Sequence, residues 1–219
     1  MTDRFTVGFE IDGRSLAALT GSGARIVVAK HGAASSGHVG WLAWTPSGRD
    51  TLVWRESYGL YAAEAAPREG TPIVPAAIVD PALERTIYPF GEDGFRAHRP
   101  ASHLPAQHYD VRNDTRSART FGLLQWAAVN GTAVRSPLNA VVVPAGFTAD
   151  FAALRTLSIW CAPGARSGSV ARIPVTAAVV VFDEMRRTAR VRYDAQSAGF
   201  AMEDGASRGR PRPPLLRSR

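Results

Sequence analysis

His38–Ala63 reads HVGWLAWTPSGRDTLVWRESYGLYAA. Two runs rich in aromatic and β-branched residues flank Pro46-Ser47-Gly48-Arg49-Asp50, a pattern that predicts a β-hairpin closed by a loop of about five residues. Three of the five tryptophans and two of the five tyrosines fall in this stretch. It therefore predicts strands and marks an aromatic surface at the same time.

Working outward, similar short runs recur from Arg4 to Ile11 through to Ala189 to Tyr193. Turn dipeptides such as Asp12-Gly13, Asn130-Gly131 and Pro163-Gly164 separate them. Helical signals are brief. Asp80-Pro81-Ala82-Leu83-Glu84 reads as an N-cap Asp followed by Pro at the first helical position. Ser15 to Leu19 and Asp150 to Leu154 each fit a turn or two of helix. None has the length of a crossover helix joining parallel strands. The expected fold is all-β: a single antiparallel β-sandwich, jelly-roll-like or barrel domain with a few short helical turns. Val175 to Phe182 is apolar on both faces and is expected to be a central core strand.

The 219 residues and 45% hydrophobic content suit one domain, expected over residues 1–204. Nothing approaches the run of ~18 apolar residues that a membrane span needs. The N-terminal residues lack the pattern of a secretory signal, so the expected location is the cytoplasm. The single cysteine, Cys161, excludes an internal disulfide and reads as a core cysteine. The net charge of +7 is uneven. Residues 205–219 hold five arginines and no acid, and with them set aside 21 basic and 19 acidic residues remain. That Arg/Pro-rich tail is expected to be disordered. The near-neutral body does not predict a specific nucleic-acid partner.

Several chemistries are excluded by their motifs. Gly32-Ala33-Ala34-Ser35-Ser36-Gly37-His38-Val39 has the glycine spacing of a phosphate-binding loop, but His38 and Val39 replace the required Lys and Ser/Thr. No G-x-S-x-G elbow, H-E-x-x-H pair or paired C-x-x-C occurs. His98, His103 and His108 recur every five residues, a spacing that puts extended side chains on opposite faces of a strand. No metal site and no cofactor are expected from them.

In the second aromatic run, Leu52, Trp54, Glu56, Tyr58 and Leu60 share one face. A carboxylate on such a face needs a partner or a role. Desolvation is expected to raise the Glu56 pKa. Lys30 is the only lysine and is expected to end its strand with the amine in water. The leading functional reading is a protein that binds a small molecule or carbohydrate, with Trp41, Trp44, Trp54, Arg55, Tyr58 and Tyr61 lining an aromatic pocket. The alternative is a small metal-independent enzyme of the cyclase, isomerase or lyase type, with Glu56, His103 and His108 as acid–base groups. Neither the ligand nor the oligomeric state is fixed by these patterns.

Overall fold

Alternating apolar and polar residues dominate the chain between Arg4 and Met202. In a computed structural model, which describes residues 4–32, 38–64 and 66–203, they form strands. The Arg/Pro-rich stretch 205–219 and residues 33–37 of the glycine-spaced loop lie outside the described residues.

The elements in chain order are β1 Arg4–Glu10, α1 Gly13–Gly21, β2 Ala24–Gly32, β3 Val39–Gly40, β4 Leu42–Trp44, β5 Arg49–Ala63 and β6 Ala77–Val79. They continue with β7 Thr86–Gly91, β8 Gly94–Phe95, β9 Arg99–Pro100, β10 His108–Asn113, β11 Arg119–Val129 and β12 Thr132–Pro137. The last are β13 Val141–Val143, β14 Thr148–Pro163, β15 Ser169–Val170, β16 Ala178–Val181, β17 Thr188–Asp194 and β18 Gly199–Met202.

Two large sheets face each other as an all-β sandwich. The first runs β12-β11-β5-β1-β17-β18, with β13 added on β11 and β6 on β5. The second runs β4-β2-β14-β10-β7-β8, with β16 added on β14 and β9 on β7. The ladders are antiparallel except β1–β17 and β10–β7. Strand alternation builds the core. Phe5, Val7, Phe9, Leu52, Trp54, Leu60, Phe121 and Leu123 point inward from the first sheet. Ile26, Val28, Tyr109, Val111, Leu157 and Ile159 meet them from the second. Helix is confined, among the described residues, to α1, where the Asp12 carboxylate accepts from the N–H groups of Arg14 and Ser15. No helix among these residues is long and apolar enough to cross a membrane.

Four local expectations are corrected. The aromatic stretch does not close on itself as a hairpin. β4 pairs with β2 in the second sheet, whereas β5 pairs with β1, β11 and β6 in the first. Residues 45–48 therefore pass from one sheet to the other. The Asp50 carboxylate fixes this crossing by accepting from Ser47 N, Ser47 Oγ and Asn130 Nδ2. Val175 to Phe182 is an edge rather than a central strand. β16 pairs only with β14 among the described residues, and Val175, Val179 and Val181 face outward. Asp80 to Glu84 is not helical, because its N–H groups bond elsewhere: Ala82 N to the Tyr58 carbonyl and Leu83 N to the Tyr88 hydroxyl. Asp150 to Leu154 lies in β14, where β10 supplies ladder partners that override local preference.

Among the described residues, the outer face of the first sheet carries an apolar cover at one end. There Tyr61, Ala63 and Leu124 pack under Ile73, and the Tyr61 hydroxyl donates to the Asn139 carbonyl. Gly122 lets this cover approach, since a Cβ there would run into the Asn139 carbonyl oxygen and meet Tyr61 Cε1 at 2.7 Å. Gly122→Ala is expected to cost about 3 kcal/mol in chemical denaturation, as overpacking against backbone does. Gly21→Ala, which meets nothing within 4 Å, is the control and is expected to leave stability level or slightly higher.

Candidate functional site

Lys30 takes its place from β2 alternation. It has the parity of Ile26 and Val28, so its side chain enters the sandwich and is fully buried. This corrects the expectation of an amine in water. The Nζ donates to Glu56 Oε1 at 2.8 Å, to Tyr58 Oη at 2.7 Å and to Gln125 Oε1 at 3.2 Å. An ammonium has three N–H donors, and all three are used. The rings of Trp41, Trp54 and Tyr58 stand around the nitrogen at 5.9, 5.8 and 4.8 Å.

Glu56 is the other half of the site, and only 3% of its side chain is exposed. Besides Lys30 it accepts from Trp54 Nε1 at 2.9 Å and from the Tyr58 hydroxyl. Gln125 completes the network by donating from Nε2 to the Arg55 carbonyl, while Trp41 Nε1 donates to the Gln125 carbonyl. Burial pulls the Lys30 ammonium down to about 8, with the Glu56 charge opposing. Burial pushes Glu56 upward, but the Lys30 charge and the three hydrogen bonds outweigh it and hold the carboxyl below its ordinary value. That corrects the expected upward shift. Burial, reinforced by Glu56, drives the Tyr58 hydroxyl upward.

Two irregularities in the sheets frame this network. Between the pairs Ala127↔Trp54 and Gln125↔Tyr58, β11 contributes Trp126 alone, whereas β5 contributes Arg55, Glu56 and Ser57. Between Ala153↔Gly32 and Leu157↔Lys30, β2 contributes His31 alone, whereas β14 contributes Leu154, Arg155 and Thr156. Each sheet thus bulges beside one member of the ion pair, and bulges re-aim side chains at such places.

The bulge in β5 also shapes the outside of the sheet. With Glu56 inward, Arg55 and Ser57 face solvent. They border a cleft of about 440 Å³ that Arg4, Val53, Trp126, Ala128 and Ala133 also line. Val53, Ala128 and Ala133 are cross-strand neighbours and make a low apolar floor. Trp126 stands at its side, 51% exposed. Its Nε1 donates to Asp80 Oδ2 at 3.0 Å, and the same oxygen accepts from Arg135 Nη1 at 3.1 Å. The Arg135 guanidinium lies 5.2 Å from the indole centroid. One carboxylate therefore holds both the indole and the guanidinium beside it.

No protein-family model, curated protein or solved structure matches this chain.

The structure gathers Trp41, Trp54, Tyr58 and Glu56 around Lys30. Trp44 lies apart, edge-on to Phe9. Tyr61 is on the opposite face of β5, under the outer cover. Arg55 faces the outer cleft. His108 lies on the outward side of β10, its Nδ1 2.8 Å from Asp150 Oδ2, and His103 is exposed. Glu56 is thus not brought together with His103 and His108. His98 stacks at a tilt on Tyr88. Among the described residues no group of three or more His, Cys, Asp or Glu side chains could hold a metal ion. Cys161 is half-buried rather than fully buried, and burial pushes its thiol up to about 11. Sequence reasoning missed Gln125 and Arg4 and did not assign Trp126 to the site. Lys30 carried a usable signal in its parity with Ile26 and Val28.

Removing one member of the buried pair leaves the other charge uncompensated. Lys30→Met and Glu56→Gln are each expected to lower unfolding free energy, Lys30→Met by about 3–5 kcal/mol. The double variant Lys30→Met/Glu56→Gln is expected to lose less than the sum of the two single changes. Glu56 has a lower pKa in the fold than in the unfolded chain. Its contribution is complete above the ordinary value of 4.5 and is lost as pH falls through the lowered one. The melting-temperature gap between the native protein and Glu56→Gln should be widest near neutral pH and close in acid.

Proposed function

We propose that this protein binds a small molecule or a carbohydrate non-covalently, in the cleft beside Trp126 on the outer face of the first sheet. The observation that carries this reading is the half-exposed Trp126 indole, fixed through its N–H by Asp80, over the small floor of Val53, Ala128 and Ala133. A large apolar ring exposed in a concave site and held in one orientation suits stacking against a planar or saccharide ring. The β-sandwich with its buried aromatic clusters is compatible with ligand binding. Of the residues read from the sequence, Arg55 faces this cleft, whereas the Trp54 ring points into the core.

The acid–base reading gains no support from the geometry. The Lys30 ammonium has each donor engaged, Glu56 is committed to three donors, and His103 and His108 lie away from them. The inner network is better read as the support on which the outer site is built.

Tryptophan fluorescence titrated with a panel of mono- and disaccharides and ring metabolites tests the reading. A ligand of the cleft is expected to shift Trp126 emission, and Trp126→Ala is expected to weaken its binding by about tenfold or more. The melting temperature of this variant should stay close to native, because the indole is half in solvent. A ligand that binds Trp126→Ala as tightly as the native protein would place the site elsewhere.

A further inference from the structure

Arg4 and Arg55 stand directly opposite each other in the antiparallel β1–β5 ladder. Both are exposed, and both line the cleft. Like charges at directly opposed positions destabilise a sheet. Elsewhere on this face Arg135 is paired with Asp80, and Arg192 with Glu10 and Glu203, while Arg49 and Arg190 stand singly, with no second guanidinium directly opposite. Among the described residues no carboxylate forms an ion pair with Arg4 or Arg55. Among the described residues, then, two guanidiniums with no carboxylate partner face each other at the rim of an aromatic-sided cleft.

We propose that the ligand of this cleft is an acidic saccharide: a sugar ring stacked on Trp126 whose carboxylate or sulfate lies between Arg4 and Arg55. This rests on the binding reading above and narrows it. A guanidinium presents N–H donors in a planar fork that matches a carboxylate or sulfate oxygen pair, and two forks facing one anion add charge to geometry. The cross-strand register sets the two arginines side by side, so one anionic group can engage both. Trp126 is the single β11 residue facing the bulge that Arg55 and Ser57 belong to. A ring beginning at the arginine pair would therefore extend along Val53 and Ala128 beside the indole. The Ser57 hydroxyl faces the same side and suits a ring hydroxyl. The cleft volume is enough for a sugar ring.

The test uses the full chain and three acidic probes: glucuronate, galacturonate and glucose 6-sulfate. Each is paired with its uncharged counterpart, the methyl ester of the uronate or glucose itself. Binding is followed by NMR on the Trp126 indole N–H and the arginine Nε–H signals. At least one acidic probe is expected to shift the Trp126 and arginine signals together, about tenfold more tightly than its neutral counterpart, with affinity falling as salt rises. Arg4→Gln and Arg55→Gln should each remove most of that preference. Without ligand, each variant should melt at or slightly above the native temperature at low salt, because a repulsion is removed.

Neutral counterparts that bind at Trp126 as tightly as the acids would overturn the acidic assignment and leave the cleft reading standing. Acids that bind through the arginines with no response from Trp126, and equally in Trp126→Ala, would overturn the stacking reading instead. Failure of all three acidic probes to shift either set of signals, or a marked loss of stability in both arginine variants, would overturn the proposal.

Discussion

A charge taken out of water has to be compensated where it lies, and inside this sandwich Lys30 and Glu56 do that for one another. The desolvation of either ion alone would cost several kcal/mol. Together, with Tyr58, Trp54 and Gln125 supplying the remaining hydrogen bonds, they form a polar cluster in which each charged group is engaged several times over. Such a pair contributes less to raw stability than an apolar filling of equal volume often does. Its effect is on geometry. Lys30 comes from the second sheet, and Glu56, Tyr58 and Gln125 come from the first. The contact therefore sets how the two sheets face each other.

The sheets accommodate this contact by giving up regularity beside it. On one side of β5, β1 ends its pairing at Arg55 and β6 begins at Leu60. On one side of β14, β10 ends at Ala152 and β16 begins at Thr156. Among the described residues, each long strand thus changes ladder partner on one edge near the place where it bulges against the other, with the single bonds Ala82 N to Tyr58 O and Phe182 N to Arg155 O lying between the two ladders. Across this change strand alternation sends Glu56 into the core while Arg55 and Ser57 are carried to the outer cleft. Inner polar cluster and outer cleft are two sides of one distortion, three residues long.

How much of this was legible follows from the range of the interactions involved. Alternation in Arg4–Glu10 and across Leu52 to Leu60 is a local property, so strands and an all-β fold could be read directly. Glu56 stood out because a carboxylate on an aromatic face has to be answered by something. What answered it was Lys30, 26 residues away, and no local pattern connects the two. The hairpin reading failed for the same reason. Local composition made Leu42–Trp44 and Arg49–Ala63 strands, but β2 and β1 offered each a better partner than the other did. Trp126 was hidden by its neighbours. Leu123 and Leu124 are buried on opposite faces of β11, so nothing in that run shows that the outer cover stops short of residue 126.

Asp80 gives the exposed indole an unusual status. Surface tryptophans ordinarily sample several rotamers, and a ligand that stacks on one must first freeze it. Here the Asp80 carboxylate and the Arg135 guanidinium have already chosen the orientation. The entropic cost of ordering the platform is met during folding rather than at the moment of encounter. Recognition on such a platform resembles a lock more than a glove. Under the proposed binding reading, it would discriminate by shape between rings that a mobile tryptophan accepts alike, with little backbone movement from either partner.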